Sequence, residues 1–136
     1  MADNLIHIAA IADLHCKSTF AGKFRALFSQ ISENANILLL CGDLVDYGLP
    51  EEAHVLVKEL SELTKRIPVI AVMGNHEFES GKIDEVQKIL TDGGVLLLDG
   101  EACEIEGIGF AGVKGFAGGF GDGVGGPWGQ AIMKRI

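Results

Sequence analysis

The stretch "NILLLCGD", residues 36–43, decides the fold. Its apolar run does not alternate with polar residues, which is the pattern of a strand buried on both faces of a sheet. It stops at a glycine and an acid. On either side the chain repeats the device. "LIHIAAIAD" (5–13) reads as a strand ending in Asp13, and "PVIAVMGN" (68–75) as one ending in Gly74-Asn75. Helical patterns lie between them. "FAGKFRALFSQISENA" (20–35) spaces Phe20, Phe24, Leu27, Phe28 and Ile31 along one helix face, and "LPEEAHVLVKELSELTK" (49–65) does the same with Ala53, Leu56, Val57, Leu60 and Leu63. Pro50 suits the first helical turn, and Glu51 and Glu52 suit the positive end of the helix. "KIDEVQKILTDGG" (82–94) predicts a third helix stopped by glycines, and "VLLLD" (95–99) a fourth strand. The order β-α-β-α-β-α-β specifies an α/β fold, a parallel layered sheet with helices on its faces.

The character changes after residue 100. "EACEIEGIGFAGV" predicts two short strands turning at Glu106-Gly107. "KGFAGGFGDGVGGPWGQ" has no period and holds eight glycines between Gly115 and Gly129. The reading is one α/β domain over residues 1–113 and a Gly-rich tail over 114–136. The string "GDGVGG" (121–126) fits a dinucleotide fingerprint, but it opens no helix in a first βαβ unit and runs into Pro127 and Trp128. It is set aside.

The 136 residues suit one core, and 48% of them are hydrophobic. The balance of 11 Lys and Arg against 19 Asp and Glu gives a net charge of -8, which disfavours binding to nucleic acid or to anionic membranes. No apolar run approaches the ~18 residues of a membrane span, and no signal peptide is read at the start. Cys16, Cys41 and Cys103 form no CxxC pair. They are expected to be reduced thiols used as small buried apolar groups, in a cytoplasmic protein.

Each of the first three strands ends in chemistry: Asp13-Leu14-His15, then Gly42-Asp43-Leu44-Val45-Asp46, then Gly74-Asn75-His76-Glu77. Open parallel sheets bind ligands beyond the carboxyl ends of their strands, so these loops should converge. If Asp13-x-His15 is extended, both side chains point to one side. Carboxylate, imidazole and amide oxygen together suit Mn, Fe or Zn. Asp43, on the central loop, could bridge two cations with its two oxygens, and His76 could serve as a general acid instead of a ligand.

At these residues the sequence resembles the calcineurin-like metallophosphoesterases. The matching motifs are "DLH" (13–15), "GDLVD" (42–46) and "GNHE" (74–77), in the family's order at successive strand ends. The resemblance implies the N-terminal half of a metallophosphoesterase α/β sandwich. It also implies two divalent cations, one held by Asp13, His15 and Asp43 and the other by Asp43 and Asn75, with His76 as the acid near the leaving group. The implied reaction is phosphoester hydrolysis by a hydroxide bound to the dinuclear centre, on a small phosphoester. The family completes its site with later histidines, usually a Gly-His-x-His. Here the histidines are His7, His15, His54 and His76. A truncated member is therefore expected, with self-association through uncovered sheet. Tyr47 stands where protein Ser/Thr phosphatases carry an Arg, which argues against a phosphoprotein substrate.

Other readings compete at single positions. Asp13 and Asp43 could be helix caps. Asp46 and Glu77 are read as supporting residues behind the ligands, Glu77 alternatively as a solvated acid. His7 is read as a core or edge residue and His54 as solvated. Gly42 and Gly74 are read as allowing tight turns and close approach. Two rival functions fit parts of the pattern: a non-catalytic scaffold of the same fold, and a receiver-like phospho-acceptor module.

Overall fold

The computed structural model describes residues 5–114. The Gly-rich tail from residue 115 onward, with the "GDGVGG" string and Trp128, lies outside the described residues. Four strands, β1 (Ile8–Ile11), β2 (Ile37–Cys41), β3 (Val69–Val72) and β4 (Leu96–Leu97), form one parallel sheet in the order β1-β2-β3-β4. Three helices connect them: α1 (Arg25–Asn34), α2 (Pro50–Thr64) and α3 (Ile83–Asp92). β5 (Glu101–Ile105) and β6 (Ile108–Gly112) form a separate antiparallel hairpin that turns at Glu106-Gly107 as expected. The register is regular, with Ala9 opposite Leu38 and Leu38 opposite Val69.

Alternation along the strands sorts side chains between two unequal faces. Leu38, Leu40, Val69 and Ala71 point to the face covered by the helices, where Phe28, Ile31, Leu56, Leu60, Leu63, Val86 and Leu90 pack against them. Each fully buried leucine there contributes roughly 1.5–3 kcal/mol of burial. Ile37, Ile70 and Leu98 point to the other face, where the hairpin contributes Cys103, Ile105 and Phe110. The covering is thus asymmetric, with helices on one face and the hairpin on the other. Ile8 and Leu96 remain 42% exposed at the two edges of the sheet.

Two expectations of the sequence shift. The first helix begins at Arg25, not at 20, because Gly22 adopts φ +83 within a run of turns. Phe24 still reaches the core and stacks on Phe28, whereas Leu27 is 40% exposed. Only Cys16 is a fully buried thiol; Cys41 is exposed and Cys103 half-buried. Burial, reinforced by the charges of Glu52 and Glu59, pushes the Cys16 thiol up to about 12.

Candidate metal centre

The loops after β1, β2 and β3 meet at one edge of the sheet. The β1 loop runs beside the β2 loop: the N–H groups of Asp13, His15 and Cys16 donate to the carbonyls of Gly42, Asp43 and Leu44, at 2.9 to 3.0 Å. The backbone there is left-handed, not extended. Asp13 (φ 59), His15 (φ 45) and Asp43 (φ 50) are three of the four non-glycine residues with positive φ among those described. The premise of an extended Asp-x-His is therefore overturned, although its result holds, since both side chains still meet. Such conformations cost on the order of 1–3 kcal/mol each and persist where the surroundings impose them.

Glu77 does much of that imposing. It is fully buried, so the solvated reading fails. Its carboxylate accepts the N–H groups of Asp43 (3.1 Å), Val45 (3.0 Å) and Gly74, tying the β2 loop to the β3 loop. Burial pushes this carboxyl above its usual range. Hydrogen bonds from Val45, Gly74 and Leu44 oppose the rise, and the charge of Asp43 adds to it. Gly74 admits no side chain, because a Cβ there would overlap the backbone and carboxylate of Asp43. Gly42 adopts φ +91.

The side chains converge as follows. His15 Nε2 lies 3.8 Å from Asp13 Oδ1 and 3.8 Å from Asp43 Oδ2. Asp13, His15 and Asp43 each offer a ligand atom, all within 4.8 Å of one another. Asp43 Oδ1 accepts the His76 N–H at 3.1 Å, so its two oxygens address different loops. Asn75 is half-buried beside His76, which opens a short 3-10 turn, His76–Phe78. His15, Asp46 and His76 form a second close group. However, His76 Nδ1 is 2.6 Å from the Asp46 carbonyl oxygen. A carbonyl only accepts, so Nδ1 carries the hydrogen and is lost as a ligand atom. Burial works against the His76 imidazolium, but the Asp46 carbonyl and the charges of Asp43, Glu79 and Asp46 outweigh it and raise the group above its usual range.

A model of the calcineurin-like phosphoesterase family matches residues 6–120. The chain belongs to that family. It is also 30% identical, over 108 residues, to the uncharacterized protein MJ1162 of Methanocaldococcus jannaschii; the match takes in 79% of this chain and 43% of that protein. The chain thus spans less than half the length of this relative. For a calcineurin-like phosphoesterase a divalent-metal site is the expected feature, and the donor set fits one. Two carboxylates and an imidazole converge on one point, a donor set that suits a divalent cation.

The helix-cap reading of Asp13 and Asp43 fails, because the caps of α1 and α2 are Phe24 and Leu49. His7 is exposed just before the edge strand β1, and His54 is exposed on α2. Sequence reasoning missed the second buried acid, Glu52, whose Oε1 accepts the N–H groups of Tyr47 and Leu49 and fixes the turn leaving the site. Its signal was available: a Glu three residues after the residue that precedes the helix is the reciprocal half of a capping box. Gly48 was also missed. It adopts φ +70 against the His76 and Glu77 carbonyls, where no Cβ fits.

Proposed function

We propose that the chain carries a metal-dependent phosphoesterase centre, with one cation held by Asp13, His15 and Asp43 and a second by Asp43 and Asn75. The observation that carries this reading is the convergence of Asp13, His15 and Asp43 at the ends of two adjacent strands. The two oxygens of Asp43 support the bridging role, Oδ2 facing the β1 loop and Oδ1 the β3 loop. Two divalent cations bound there would neutralise phosphate charge and lower the pKa of a bound water, so that it attacks phosphorus at neutral pH. His76 acts as the general acid. Its Nδ1 hydrogen is committed to the Asp46 carbonyl, which leaves Nε2 to hold a proton for the leaving oxygen. The tie from the His76 N–H to Asp43 fixes the acid relative to the proposed bridge. The substrate class is a phosphoester.

The receiver-like alternative loses support from topology. A receiver sheet runs in the order 2-1-3-4-5, with strand 1 between strands 2 and 3, whereas here β2 lies between β1 and β3. The decisive experiment titrates metal-stripped chain with Mn²⁺ and Zn²⁺ by calorimetry and follows a chromogenic phosphoester. Binding that Asp43→Asn abolishes is expected, with any turnover sensitive to chelation. Cation binding without turnover would favour the non-catalytic scaffold. Hydrolysis that survives chelation would overturn the metal reading.

A further inference from the structure

Asp46 lies just behind this centre and touches both of its imidazoles in different ways. Its main-chain carbonyl takes the Nδ1 hydrogen of His76. Its carboxylate Oδ1 lies 3.5 Å from Nδ1 of His15, on the side of that ring opposite the Nε2 that faces Asp13 and Asp43. The two rings meet edge to face with centroids 4.5 Å apart, so neither can turn without disturbing the other. Asp46 is 14% exposed, as shielded as Asp43 (15%) and far more than Asp13 (68%), and Lys17 Nζ sits 3.9 Å from its other oxygen, Oδ2.

A neutral imidazole has one N–H and one lone pair, and the hydrogen-bond acceptor behind the ring decides which nitrogen carries which. We propose that Asp46 is a positioning residue whose carboxylate holds His15 in the Nδ1–H tautomer and so turns the Nε2 lone pair toward Asp13 and Asp43, which deepens the proposed function and rests on it for its purpose. Asp43 is as shielded as Asp46, so shielding alone does not choose the nitrogen; Asp46 Oδ1 is the nearest carboxylate oxygen to the ring, 3.5 Å from Nδ1 against 3.8 Å from Nε2 to either Asp13 or Asp43. Asp46 thus faces both rings at once, His15 through its side chain at 3.5 Å and His76 chiefly through its backbone carbonyl at 2.6 Å, with the carboxylate 4.0 Å from that ring's Nδ1. Only the first of these can be altered by substitution.

The test reads the tautomer directly in metal-stripped chain, by long-range ¹H–¹⁵N correlation of labelled histidine at a pH where the rings are neutral. In the parent chain, His15 is expected to show a protonated Nδ1 and a bare Nε2. Asp46→Leu should move His15 toward the Nε2–H form and leave the neutral His76 ring with its hydrogen on Nδ1, since the carbonyl at position 46 remains. Asp46→Asn keeps an acceptor oxygen and should keep the parent pattern. Zn²⁺ affinity should fall about 10–100-fold in Asp46→Leu and recover in Asp46→Asn. A bare Nδ1 on His15 in the parent chain overturns the proposal whether or not the leucine variant folds, and so does a His15 pattern that Asp46→Leu does not change. The expected tautomers in a parent chain that binds no metal would uphold the positioning role and overturn the metal reading alone.

Discussion

On the helix-covered face of the sheet, Leu38, Leu40, Leu56, Leu60 and Leu90 are buried in one cluster of apolar side chains. One strand-end away, Asp13, His15 and Asp43 stand in left-handed conformations, and a buried glutamate gathers three backbone N–H groups. Both regions are closely packed, but different forces hold them. The face is held by burial of apolar area, which is non-directional and shared among many residues. The loops are held by a few directional bonds to one carboxylate, and each bond fixes where a polar group points. Damage to the face should therefore cost stability and spare the chemistry of the molecules that remain folded. Damage to the loops should reach the chemistry directly.

The sharpest test of that contrast is His76→Ala. In a form of the protein with measurable turnover, hydrolysis should slow about 10²–10⁴-fold. Bound metal and melting temperature should hardly change, and the loss should shrink for substrates with good leaving groups. Elemental analysis showing loss of metal would identify His76 as a ligand instead.

Glu77→Leu comes next. It strands the N–H groups of Asp43, Val45 and Gly74 inside the protein, and should cost about 3–5 kcal/mol in urea unfolding together with loss of metal binding. Leu60→Ala, on the helix-covered face, should cost about 2–5 kcal/mol. Metal affinity measured on its folded fraction should match the parent. If Leu60→Ala weakens metal binding as much as Glu77→Leu does, the two regions are one cooperative unit and the contrast fails.

The smallest stability effects belong to the proposed ligands themselves. Asp43→Asn should remove more bound metal than Asp13→Asn, since in the proposed centre Asp43 would serve both cations. Equal losses would count against the bridge. In the parent chain, calorimetry should resolve a tighter and a weaker cation, because the second would have only Asp43 and Asn75. Two equally tight sites would show that further groups contribute.

Much of this was legible in the sequence. The uninterrupted "ILLLC" and the helical spacing of Leu56, Leu60 and Leu63 fixed the parallel sheet and its helices, because period and burial are properties of neighbouring residues. The positions of Asp13, Asp43 and Asn75 just past three strands placed them at one sheet edge, because parallel strands end on the same side. Other features depended on contacts between residues far apart in the chain. Nothing in "GNHE" reveals that Glu77 reaches 32 residues back to the Val45 N–H, or that Asp13 and His15 turn left-handed to pair with the β2 loop. Nor does "GDLVD" say that Asp46 would give its carbonyl to one histidine and its carboxylate to the other. The sequence by itself determined which chemical groups gather at the sheet edge. Only the tertiary structure decided how each is turned, because a hydrogen bond depends on the direction of both partners and the chain brings those partners together only when it folds.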